Sequence, residues 1–124
     1  MLGVLAGILL AGSAAAQGPD QTAALMYVQS YVSPALIDVC KGVMPGTAAR
    51  LDDALARWRD RNRDLIAQGE RVLQSVARGE GSNMEATLAT QRETLLRQFR
   101  ALPAPDQTER CGSLLGVLES EARR

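Results

Sequence analysis

The chain has 124 residues, with fourteen basic and fourteen acidic side chains and no histidine. Zero net charge leaves no basic surface of the kind that holds nucleic acid. The missing histidine removes the usual catalytic base and the commonest metal ligand. With only Tyr27, Tyr31, Trp58 and Phe99 as aromatics, the core must be mostly Leu, Val and Ala, which suits helices more than sheets.

The first segment reads as a leader. Leu2 to Leu10 is apolar but too short to span a bilayer, and Ala14-Ala15-Ala16 fits an A-x-A cleavage site before Gln17. No Lys or Arg precedes the apolar run. That departs from the usual leader pattern and leaves a mispredicted start or an N-terminal membrane anchor as the alternatives; the length of the run and the A-x-A site favour residues 1–16 as a signal peptide and 17–124 as a single helical domain, periplasmic or secreted, with no membrane contact after cleavage.

From Gln21 the pattern turns helical, with Leu25, Val28 and Val32 on one face. Ser33-Pro34 combines a good N-cap with a residue favoured at the first helical position, so the spacing predicts a break. One helix is expected over 21–32 and a second over 34–42, with a single kinked helix as the alternative. Leu36, Val39, Cys40 and Val43 continue the apolar face, and Gly42 and Pro45-Gly46 end it.

The longest periodic stretch follows. Leu51, Leu55, Trp58, Asn62, Leu65, Gly69, Val72 and Val76 alternate by four and three, which places them on one face of a helix over 47–78. Ala54, Ile66 and Leu73 widen that seam. Thr47 can cap the helix, and Asp52 and Asp53 suit its positive end. The other faces are dense in charge, including the i,i+4 pair Asp53–Arg57, and read as solvated.

Arg78-Gly79-Glu80-Gly81 is a turn, and Ser82-Asn83-Met84-Glu85 reads as a capping box opening a helix over 83–101. Its stripe is Met84, Leu88, Leu95, Phe99 and Leu102. Pro103-Ala104-Pro105 stops it. A last helix over 106–122 carries Cys111, Leu114, Leu115, Leu118 and Ala122 inward, with Arg123-Arg124 at its negative end. Short loops make neighbouring helices antiparallel.

Cys40 and Cys111 are the only cysteines. In an exported chain a lone pair reads as a disulfide, here closing a loop that the chain-entropy model values at roughly 4 kcal/mol. The expected fold is an all-α bundle of four to five antiparallel helices clasped by that bond. Ideal up-and-down pairing would set the two cysteines at different heights, so the last helix must tilt or the long helix must begin late.

No triad, phosphate loop or metal-ligand spacing is present in the sequence, and no cofactor, metal or enzymatic activity is expected. Two seam positions break the apolar rule, Asn62 and Gly69. Either Asn62 hydrogen-bonds inside the bundle and Gly69 admits a neighbouring helix or the side chain of Gln91, or Trp58, Asn62, Gly69 and Phe99 border a binding groove. The chain resembles small exported all-helical proteins of Gram-negative bacteria with one disulfide and a central W-x-x-x-N helix, some toxin-immunity and periplasmic chaperone proteins among them. The resemblance is architectural and implies no particular activity. The functional expectation is a binding protein with a protein partner, such as an inhibitor, immunity protein or chaperone. The alternatives are a homo-oligomer built through the helix over 47–78 and a small enzyme.

Overall fold

The computed structural model describes residues 18–122, all of them in helices and short connections. The expectations for the leader, for cleavage before Gln17 and for Arg123-Arg124 lie outside the described residues. Five α-helices follow in order: α1 (Pro19–Val43), α2 (Ala48–Arg61), α3 (Arg63–Glu80), α4 (Met84–Arg100) and α5 (Ala104–Ala122). A single 3-10 turn, Pro45–Thr47, joins α1 to α2. The disulfide is formed between Cys40, near the end of α1, and Cys111 on α5, with Cα atoms 5.6 Å apart.

The break expected in the first helical stretch is not made, and a break falls where an undivided helix was expected. α1 does not break at Ser33-Pro34 but runs through it. Proline at 34 has no N–H to give the Ser30 carbonyl, which would ordinarily orphan that oxygen and open the helix. Here the Arg59 guanidinium, reaching over from α2, donates to the Ser30 carbonyl at 3.0 Å. The Ser30 hydroxyl meanwhile donates to the Tyr27 carbonyl at 2.7 Å, so its own polar group is also satisfied where it is buried.

The helix over 47–78, by contrast, is divided. Asn62 leaves helical values (φ −106°, ψ 15°) and separates α2 from α3. Its side-chain amide donates to the Trp58 carbonyl at 2.8 Å, sharing that oxygen with the Asn62 backbone N–H at 3.1 Å, a local side-chain bond of the kind Asn makes at helix ends. The consequence is a division of labour. α2 packs mainly on α5 and α3 mainly on α1. α2 thus packs against both helices that carry the cysteines, α1 and α5.

The apolar seam changes phase at the same point. Leu51, Ala54, Leu55 and Trp58 of α2 are buried, whereas on α3 the buried positions are Gly69 and Ala77. Leu65 and Val76, both on the expected seam, are 37% and 48% exposed. Ile66 turns toward the core in their place.

Two caps also differ from expectation. Thr47 makes no side-chain cap on α2; its hydroxyl donates to the Met44 carbonyl at 2.7 Å and tightens the 3-10 turn. The N-cap of α4 is Asn83, not Ser82: the Asn83 side-chain oxygen accepts from the Ala86 N–H at 3.0 Å. α5 begins at Ala104, so Pro105 lies in its first turn, where its missing N–H costs nothing, instead of before the helix.

The core gathers Ile37 and Cys40 of α1, Leu51, Leu55 and Trp58 of α2, Phe99 of α4, and Cys111, Leu115 and Leu118 of α5. α1 is long and apolar enough to cross a membrane by length and composition. It is also the helix on which each of the other four packs, which accounts for apolar residues on most of its faces. α1 and α2 run antiparallel, with Lys41 paired to Asp52 near one end and Arg59 on the Ser30 carbonyl toward the other. α4 runs beside α1 in the same direction, placing Arg92 over the Tyr31 ring at 5.2 Å. The far end of α5 is tied to α2 by a two-bond Arg50–Glu119 pair at 2.8 and 2.6 Å.

Candidate functional site

Of the four seam-related residues singled out from the sequence, three are used by the fold. Trp58 is fully buried, and its indole N–H donates to the Glu121 carboxylate at 2.5 Å, giving the ring's one polar atom a partner on α5. Asn62 donates one amide N–H to the main-chain carbonyl of Trp58, which joins the two residues through the backbone. Gly69 lies where α3 meets α1. A Cβ there would stand 1.9 Å from the Ala23 carbonyl oxygen and 2.9 Å from Tyr27 Cβ, so only glycine lets the helices approach this closely. Trp58 and Phe99 share one core, while Gly69 belongs to the separate α1–α3 contact.

Phe99 is the exception. It is buried toward the core, but it also forms a wall of a solvent-connected recess between α1, α4 and α5. That recess has a volume of about 250 Å³ and is lined by Leu36, Cys40, Leu95, Gln98, Phe99, Leu102 and Arg110. Leu95 remains 40% exposed at its edge. A shallower depression of about 540 Å³ adjoins it, sharing Leu102 and Arg110 and adding Asp106, Glu109 and Ser113.

A second apolar cleft lies at the other end of α4. Val28 of α1, Leu73, Val76 and Ala77 of α3, and Met84 and Leu88 of α4 line a space of about 220 Å³, with Glu80, Ser82, Thr87 and Gln91 around it. Tyr27, next to Val28, has its phenol pKa raised, first by burial and then by Glu70, Glu85 and Tyr31. Lys41 is also shifted upward, chiefly by its hydrogen bond to Asp52.

Neither recess was legible from the sequence as a site. Leu95 reads as core because it sits on the α4 stripe, yet Leu96 is the buried residue and Leu95 is left at the rim. The tandem Leu95-Leu96 was the available signal, since one helix face cannot bury two consecutive side chains equally. Among the described residues no group of three or more His, Cys, Asp or Glu side chains gathers as a metal-binding set. Comparison with protein-family models, curated proteins and solved structures finds nothing that this chain matches.

Proposed function

We propose that the chain is an exported protein, periplasmic or secreted, that acts by binding a protein partner and not by turning over a substrate. The disulfide supports export, since such bonds persist in oxidising compartments. The observation that carries the binding reading is the cleft between α1, α3 and α4. Val76 stands 48% exposed beside it, and its floor is Val28, Leu73, Met84 and Leu88. An open apolar cleft ringed by polar side chains has the anatomy of a contact surface, with Met84 as an adaptable wall.

The test uses the disulfide-bonded protein as bait in periplasmic extract, beside a Val76→Asp variant. A partner held by the parent and lost by the variant, with unchanged melting temperature, is the expected result. Equal capture by both would move the binding surface elsewhere. Intact mass of the protein recovered from the periplasm tests export separately, with Gln17 as the expected first residue. The alternative reading is a homo-oligomer built through the stretch 47–78, which forms α2 and α3, and sedimentation of the intact protein distinguishes it from a monomer that binds a different partner.

A further inference from the structure

The recess beside the disulfide has a different character from the cleft assigned to a protein partner, and it carries an inference of its own. Five of its seven lining residues are apolar or part of the disulfide: Leu36, Cys40, Leu95, Phe99 and Leu102. The remaining two, Gln98 and Arg110, are both side chains that can donate hydrogen bonds. Neither side chain has a hydrogen bond or ion pair among the described residues. No acidic residue lines this space.

We propose that this recess binds a small monocarboxylate with an alkyl tail. The tail lies against Leu36, Leu95, Phe99 and Leu102, and the carboxylate is held by the Arg110 guanidinium with Gln98 as a second donor. Arginine meets a carboxylate with two parallel N–H groups, which fixes orientation as well as charge. The recess, about 250 Å³ and open to solvent, suits a ligand of modest size, for which octanoate is the probe.

Asp106 and Glu109 bear on the sign of the ligand. They line the adjoining depression together with Arg110 and make no ion pair among the described residues. Their field opposes an anion at Arg110, so removing one of them should tighten carboxylate binding. A cationic ligand seated against those acids would respond in the opposite direction. The two possibilities are therefore separated by the same substitution.

The experiment titrates sodium octanoate, octyltrimethylammonium and a peptide ending in a free leucine carboxylate into the intact disulfide-bonded protein, following backbone amide shifts by NMR. Octanoate is expected to move the signals of Leu36, Leu95, Gln98, Phe99 and Arg110. Arg110→Gln should weaken it about tenfold or more, the scale of a lost charge-assisted hydrogen bond. Asp106→Asn should strengthen it. Arg110 is exposed, so its variant is expected to keep the parent melting temperature; Leu95→Gln provides a second, tail-side variant. Tighter binding of the cationic amphiphile would overturn the proposal. So would octanoate binding within twofold of the parent in Arg110→Gln, or shifts confined to the Val28–Leu73 cleft. Tighter binding of the peptide than of octanoate would overturn it in favour of a polypeptide terminus. The protein-docking reading stands or falls separately, through Val76→Asp.

Discussion

Replacing Gly69 with alanine opposes two effects of known sign. In an ordinary helix the change is favourable by about 1 kcal/mol, because alanine loses less backbone entropy. At the α1–α3 contact the new methyl would lie 1.9 Å from the Ala23 carbonyl oxygen, 2.5 Å from its carbon and 2.9 Å from Tyr27 Cβ. The two nearest of these atoms are backbone, so no rotamer change relieves the overlap, and the helices must separate by about 1 Å or more. Overpacking of this kind costs about 3 kcal/mol, the upper end of the usual range, because a whole helix must shift. The net expectation is a loss of about 2 kcal/mol, or roughly 8–16 °C in melting temperature for a domain of this size. Gly79, also on α3, is the internal control: nothing lies within 4 Å of its would-be Cβ. Gly79→Ala should stabilise by about 0.5–1 kcal/mol. Thermal unfolding of the two variants side by side decides the matter. Equal stabilisation by both would refute the close α1–α3 approach.

Arg59→Ala should leave the Ser30 carbonyl without a partner and cost about 1–3 kcal/mol. In a Pro34→Ala background, where residue 34 regains its N–H, the same change should cost much less, and a double-mutant cycle reads the coupling. Trp58→Ala should cost about 3–5 kcal/mol by cavity formation, and the parent indole should emit blue and resist quenching; a red-shifted, readily quenched tryptophan in the folded protein would contradict its burial. Stability should fall on the alkaline side. The Tyr27 phenol and the Lys41 ammonium both hold their protons more tightly in the folded chain than at their ordinary values of 10.0 and 10.5. Their contribution is therefore complete below those values and is lost as pH rises through the folded ones. Melting temperatures measured from neutral pH upward should decline there, and the Lys41 part should shrink in Asp52→Asn, with the smaller contribution of Asp38 remaining.

The helical class and the disulfide were legible because each rests on a local signal, apolar spacing and a lone cysteine pair; the turn expected over 78–81 comes later, because α3 runs on to Glu80 and ends at Gly81, and Asn83 instead of Ser82 caps α4. The positions of the breaks were not, because each is decided by a partner distant in sequence or by a side chain with two options. Pro34 carries a strong local penalty that Arg59 offsets from twenty-five residues away. Asn62 carries a weak one, yet its amide turns back to the Trp58 carbonyl and the helix divides there. Once the helix divides, strict four-three spacing no longer describes one face, which is why Leu65 and Val76 reach solvent. Of the candidate binding residues, Gly69 gave an interpretable signal, a poor helix former on an apolar face, and its cause is the Ala23 backbone. Gln98 and Arg110 gave none, since an exposed glutamine or arginine on a helix is ordinary.

The Cys40–Cys111 bond brackets α2, α3 and α4, so the turn at Gly81–Asn83 lies inside a covalent ring. A protease that cuts that exposed turn produces two chains, one ending in α3 and one beginning with α4, and neither can diffuse away until the sulfurs are reduced. The cleaved molecule should migrate as one species without reductant and as two with it. The same ring makes the turn a permissive place to open the chain: a fluorophore, an affinity tag or new termini placed there would leave the two halves tethered beside one another, ready to reassemble without a concentration penalty.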